Sequence, residues 1–216
     1  MDTFAFIIHP IDPKRDASRK FPFLASLFNA RQINFLSTFF PPIYLSEITG
    51  ITSAETGKQI KGWLIACPLT AERMLELPQR IAYYKIIQTG RLAERLGADI
   101  LGLGAFTSVI GDGGITIANA LDVPITTGDA YTVSVAVQAV RDAGRMLGID
   151  IENATAAVVG ATGAIGRVCA EYLAHDVAKL YLLGRSREKL DQLHGNLAGR
   201  VPADLVTSVN MQDVSQ

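Results

Sequence analysis

Short apolar runs separated by polar, helix-compatible stretches recur along the chain, and their order predicts an α/β fold class. Residues 1–10 read as a strand ending at His9 and Pro10, and DPKRDASRKF (12–21) as a polar, basic turn and short helix. Two aromatic stretches follow, FLASLF (23–28) and INFLSTFF (33–40), before Pro41 and Pro42 interrupt any helix. IYLSEITG (43–50) and KQIKGWLIACPL (58–69), with a turn-rich gap between them, predict two strands in a hairpin or adjacent in one sheet. TAERMLELP (70–78) starts on a Thr cap and ends at a proline, and residues 78–97 carry the spacing of an amphipathic helix stopped by Gly97. ADILGLGAFTS (98–108) predicts a buried strand entering a polar turn, VIGDGG (109–114) a glycine loop and ITIANAL (115–121) a short helix. VPITTGD (123–129) follows as strand and loop, and residues 130–148 as a long helix.

The pattern then sharpens. TAAVVG (155–160) is short, β-branched and apolar on both sides, as a strand buried in a parallel sheet is. Gly160, Gly163 and Gly166 follow at a spacing of three, and a helix is expected from Ala164 to Ala174. Strand, glycine turn and helix in this order fit a dinucleotide fold. There Gly160 makes the sharp turn, Gly163 lets the backbone approach a pyrophosphate, and Gly166 lets the helix lie close on the strand. Thr162, Ala164 and Ile165 complete the cradle, whose free helix-start amides meet the phosphate charge. LYLLGRSR (180–187) predicts the next strand, with Gly184, Arg185, Ser186 and Arg187 at its end. No acid stands there to hold a ribose 2′-hydroxyl, and arginine pairs with a 2′-phosphate, so NADPH is the expected cofactor. A helix over about 187–198 and a strand over 203–210 would complete one mononucleotide-binding half. The domain organisation read from this is an N-terminal α/β substrate domain, 1–150, and a partial Rossmann-like NADP-binding domain, 151–216.

Composition narrows the partners. Twenty Lys and Arg against 21 acids leave a net charge of −1, which argues against a nucleic-acid binder. No apolar run reaches the roughly 18 residues of a membrane span, and FAFII (4–8) is too short for a signal peptide, so a cytoplasmic protein is expected. Cys67 and Cys169 have neither metal nor disulfide spacing, as suits a reducing compartment. No metal site is expected, Asp112 and Asp129 having no identifiable co-ligands. A 49% hydrophobic content and a mean hydropathy of +0.24 point to an apolar pocket, a buried sheet or self-association.

SAETGKQIKGWLIAC (53–67), DILGLGAFTSVI (99–110), TTGDAYTVSVAVQAV (126–140) and LGIDIENATAAVVGATGAIG (147–166) together resemble the cyanobacterial-type long-chain fatty acyl-[acyl-carrier-protein] reductases. The resemblance covers nearly the whole chain in order and spacing. It implies NADPH-dependent reduction of an acyl-carrier-protein or acyl-CoA thioester to a fatty aldehyde within hydrocarbon biosynthesis, with an aldehyde-consuming oxygenase as a further partner. It also implies an acyl-cysteine intermediate on a cysteine beyond the end of this chain, because those enzymes are longer and carry that cysteine in their C-terminal part. This chain is accordingly expected to be a fragment or truncated product, inactive alone.

Within the chain, Thr107 and Ser108 after one strand, and Thr126, Thr127 and Gly128 before a helix, are candidates to line a substrate cleft or serve as ordinary turn and cap residues. Cys67 reads as a core thiol and Cys169 as one packed against the sheet, neither as nucleophile. His9 reads as a pocket wall or a satisfied structural histidine. Lys14, Arg15, Arg19 and Lys20 read as a solvated turn or a face for an acidic carrier protein. Two other readings stay open: a shikimate-dehydrogenase-like enzyme, with Lys85 and Asp129 as its only loose catalytic pair, and a non-catalytic NADP- or carrier-binding module.

Overall fold

Residues 2–209 are described by the structure, a computed structural model, and they form two compact units, the first ending at Gly128 and the second starting at Asp129. The first unit opens with strand β1 (Asp2–Ile8) and three short helices, α1 (Pro13–Lys20), α2 (Pro22–Leu27) and α3 (Ala30–Leu36). Asp12 caps α1 by accepting from the Arg15 amide, and Asn29 and Gln32 close a reciprocal box at the start of α3. Strands β2 (Ile43–Thr52) and β3 (Gln59–Ala66) pair antiparallel across a turn at Ser53–Gly57. Helix α4 (Ala71–Glu76) starts on the Thr70 cap, and α5 (Gln79–Leu96) stops where Gly97 turns left-handed at φ 83°. Strand β4 (Ile100–Leu103), a 3-10 turn (Ala105–Ser108), helix α6 (Ile115–Ala118) and strand β5 (Ile125–Thr126) complete the unit.

The sheet order is β2-β3-β1-β4-β5, and every pair except β2–β3 is parallel. Alternation places Ala5, Ile7, Trp63, Ile65, Leu101 and Leu103 on one face, where they bury Ala82, Ile86 and Ala93 of α5. The chain leaves β1 towards β3 and then returns past it to β4. Strand order therefore reverses beside β1, which makes the carboxyl ends of β1 and β4 a topological switch point.

The second unit begins with the long helix α7 (Asp129–Met146), followed by β6 (Thr155–Val159), α8 (Ala164–Leu173), β7 (Lys179–Leu183), α9 (Arg187–Leu197) and β8 (Asp204–Ser208). Its three strands are parallel in the order β6-β7-β8, each linked by a helix, the topology of a mononucleotide-binding half. Val158, Leu180 and Leu182 of the sheet bury Ala170, Leu173, Leu190 and Leu193 of the helices, whereas Ala157 and Val159 on alternate positions of β6 are exposed.

The division differs from the boundary expected at 150. Val133 and Val137 of α7 lie in the same core as Val158 and Leu173, and Arg141 on α7 makes a two-pronged ion pair with Asp176, at 2.7 and 3.0 Å, in the turn after α8. The apolar stripe of α7 thus packs on the second unit, and the division falls ahead of the helix. The strand expected over 203–210 runs from Asp204 to Ser208, and Asn210 lies outside the described residues.

Candidate functional site

The glycine turn is built from the end of β6. Gly160 takes φ 78°, a left-handed conformation that a side chain would strain, and its amide and that of Ala161 both donate to the Leu183 carbonyl at 2.9 Å. This pair of bonds ties the turn to the end of β7. Gly163 closes the turn by donating to the Gly160 carbonyl at 2.9 Å and then serves as the N-cap of α8, where it has no side chain to satisfy the helix start. The amides of Ala164, Ile165 and Gly166 therefore have no intrahelical acceptor. A Cβ on Gly166 would collide with the Gly160 carbonyl group, so the helix rests directly on the turn. A Cβ on Gly163 would only graze the Gly160 oxygen at 3.3 Å, on the exposed side. Turn, cap and unpaired amides fit a pyrophosphate group. Thr162 lies beneath Gly184, where an added Cβ would approach its side chain to 3.2 Å, so the two loops at the ends of β6 and β7 adjoin.

At the end of β7, Ser186 caps α9 by accepting from the Lys189 amide, which leaves its hydroxyl engaged in the fold. Arg187, the first residue of α9, pairs with Asp191 at 3.3 Å one helical turn on. Arg185 is exposed beside the glycine turn and has no carboxylate within ion-pair distance among the described residues. Of the two arginines it is thus the one with its guanidinium uncommitted. The i,i+4 spacing of Arg187 and Asp191 was the available signal for this difference.

The carboxyl ends of β1 and β4 carry the second set of expected residues. His9 accepts from the Phe106 amide through Nε2 at 3.1 Å, which places the ring proton on Nδ1, 3.0 Å from the Pro10 carbonyl. It bridges the two strand ends as a satisfied structural histidine. Ala105, next to that bridge, is the single non-glycine residue with positive φ, at 50°, among the described residues. No sequence signal announces it. Thr107 is fully buried and donates to the Gly104 carbonyl at 2.7 Å, and Ser108 donates to the Ala105 carbonyl at 2.8 Å. Both hydroxyls close their own turn, and Thr107 faces no open cleft. Gly128 turns left-handed at φ 77° and donates to Thr126 Oγ1, and Thr127 is half-buried just ahead of it.

Cys67 is fully buried, and burial pushes its thiol up to about 11 despite the opposing pull of the Leu69 backbone, the Thr89 hydroxyl and the Lys85 charge. Such a thiol is not a nucleophile at neutral pH. Burial likewise raises the half-buried Cys169 and lowers Lys85, whose ammonium donates to the Phe40 carbonyl at 2.9 Å. Lys85 is thereby engaged inside the first unit. Among the described residues no group of three or more His, Cys, Asp or Glu could hold a metal ion, and no helix is long and apolar enough to cross a membrane.

No family model matches the chain. Over 197 residues it is 34% identical to the long-chain acyl-[acyl-carrier-protein] reductase of Synechococcus elongatus, which covers 87% of this chain and 56% of that protein. Over 139 residues it is 34% identical to the aminotransferase PigE of a Serratia species, covering 64% of this chain and 16% of that protein. Among solved structures, L-tryptophan dehydrogenase from Nostoc punctiforme aligns with 96% of this chain and 52% of its own, at 14% identity and a TM-score of 0.41.

Proposed function

We propose that this chain, a relative of the long-chain acyl-[acyl-carrier-protein] reductases over most of its length, is a reductase module that binds NADPH at its glycine turn and serves the reduction of a long-chain acyl thioester to an aldehyde. The observation that carries the reading is the 34% identity over 197 residues with the Synechococcus enzyme. The geometry of the second unit supports the cofactor half of it. The amides of Ala164, Ile165 and Gly166 would bind the pyrophosphate, with Gly160 and Gly163 giving it access to the backbone. Thr162 lines the same loop, and Arg185 would pair with the 2′-phosphate, assisted by Arg187 once it leaves Asp191. Bound NADPH would supply the hydride.

The acyl donor in this reading is an acyl carrier protein or acyl-CoA thioester. Neither Cys67 nor Cys169 is assigned as acyl acceptor in this reading: Cys67 is fully buried, and burial raises both thiols above their ordinary value. Thr127 and Gly128, at the carboxyl end of β5, remain candidates for the substrate cleft.

Titration of the protein with NADPH and NADH tests the cofactor half. A charge-assisted contact to phosphate contributes about 1.5–3 kcal/mol, so NADPH should bind at least about tenfold tighter than NADH. Arg185→Ala should remove that preference without weakening NADH. Equal affinities for the two cofactors in the unaltered protein would sink the 2′-phosphate assignment. Following NADPH oxidation and aldehyde with long-chain acyl-carrier-protein and acyl-CoA substrates tests the reaction.

A further inference from the structure

A cavity of about 510 Å³ opens in the first unit at the carboxyl ends of β1 and β3, beneath α1 and α3. Its volume lies within the range of about 300–1,000 Å³ typical of small-molecule pockets. Ile8, Ile33, Phe40, Ile43, Leu45 and Ala66 are among the apolar residues of its wall. The polar side chains that reach this wall are already occupied by the protein itself. Both ring nitrogens of His9 are engaged, and the Ser37 hydroxyl donates to the Asn34 carbonyl at 2.6 Å. The interior therefore rewards an apolar occupant and offers little to water.

The rim has the opposite character. Arg15, Arg19 and Lys20 of α1, all exposed, line the pocket together with a single carboxylate, Asp16. Asp16 is itself committed, accepting from the amides of Ile11 and Asp12 and lying 3.4 Å from Arg15. Lys20 donates to the Tyr44 carbonyl, which fixes its ammonium at the pocket without neutralising it. Arg19 has no carboxylate within ion-pair distance among the described residues. A chain whose net charge is −1 thus gathers an excess of positive charge around one apolar opening.

We infer that this pocket is a binding site for a single-chain amphiphile with an anionic head, its tail in the apolar interior and its head between Arg15, Arg19 and Lys20. Burial of the tail supplies the affinity, and the arginines and lysine supply the selection for negative charge. The anionic head could be the carboxylate of a free fatty acid or the phosphates that accompany an acyl thioester, and the two share this recognition chemistry. The site is contained within the first unit and does not rest on the nicotinamide reading.

Binding to the whole chain, without NADPH, tests the inference with four probes of equal tail length: laurate, lauroyl-CoA, dodecanol and dodecyltrimethylammonium. Laurate or lauroyl-CoA, or both, should bind, with the cationic probe at least about tenfold weaker. Which of the two anions binds tighter identifies the source of the head group. Arg19→Glu, at an exposed position, should weaken the anionic probe several-fold, and Ala17→Phe, which fills the pocket from α1, should abolish binding. Circular dichroism confirms that both variants are folded. Failure of both anionic probes, equal binding of the cationic or the neutral one, or unchanged affinity in the folded variants would overturn the site. None of those results bears on NADPH binding at the glycine turn.

Discussion

Gly163 and Gly166 lie three residues apart in one turn, yet an added methyl group meets different surroundings at each. At Gly166 it runs into the Gly160 carbonyl group, so Gly166→Ala must push α8 off the turn. Such overpacking costs about 1–3 kcal/mol, and thermal stability and NADPH affinity should fall together. Gly163 has φ −81°, which any residue adopts, and an added Cβ there meets only the Gly160 oxygen, at 3.3 Å. Gly163→Val should therefore lower the melting temperature less than Gly166→Ala does while removing NADPH binding, because the branched side chain fills the approach to the amides. Unaltered cofactor affinity in that folded variant would make the turn purely structural. Cys67 adds a pH dependence of its own. Its thiol ionises near its ordinary 9.0 in the unfolded chain but not before about 11 in the folded one, burial being the main cause. The stabilisation tied to the neutral thiol is complete below pH 9 and is lost as the pH rises towards 11, at about 1.4 kcal/mol per pH unit for one proton. Urea unfolding across that range should show a slope that Cys67→Ala lacks.

At the scale of elements, α7 decides where the second unit begins. Each buried valine on its stripe contributes about 1.5–3 kcal/mol, and Val133 and Val137 both lie in the core shared with Val158 and Leu173. The chain from Asp129 onward should unfold cooperatively in urea, whereas the chain from Asp150 onward should not. A cooperative transition in the shorter piece would show that β6, β7 and β8 with their two helices suffice. Arg141→Ala should lower the stability of the second unit by about 1 kcal/mol, since the pair with Asp176 is two-pronged but partly open to water. The helices themselves were largely legible in the sequence. The Thr70 cap, the Gly97 stop and the Pro41–Pro42 break all act locally and stand where expected. The affiliation of α7 was not legible, because its amphipathic stripe states that one face is buried and not against which sheet.

For the molecule as a whole, the two units differ in what they offer: a glycine turn proposed to hold a pyrophosphate in the second, an apolar pocket lined at one side by basic residues in the first. Hydrogen exchange should separate them. NADPH should protect amides in 160–166 and 184–187, where the turn and the loop after β7 adjoin. Lack of protection at both segments under saturating NADPH would remove the glycine turn as the cofactor site. The chain spans 56% of the Synechococcus reductase and 16% of PigE, so the reaction of a whole enzyme is for the acyl-thioester assay to decide.

The sequence by itself determined the α/β class, the order of strands and helices, and the identity of the glycine turn. Those features follow from local rules: side-chain period, caps, breakers, and the need for glycine where φ is positive, as at Gly160. Cys67 was also legible as a core residue, since it sits in an apolar run, and Cys169 is partly buried against the core of the second unit. Only the tertiary structure distinguished the two arginines, because Arg187 finds Asp191 whereas Arg185 meets no carboxylate among the described residues. It alone showed that His9 joins two strand ends distant in sequence, that Ala105 is held at positive φ, and that Thr107 is shut away from any cleft. It alone turned the basic run of α1 into one side of a cavity. Each of these depends on residues brought together from far apart in the chain, and such meetings are set by packing among elements rather than by any period within one.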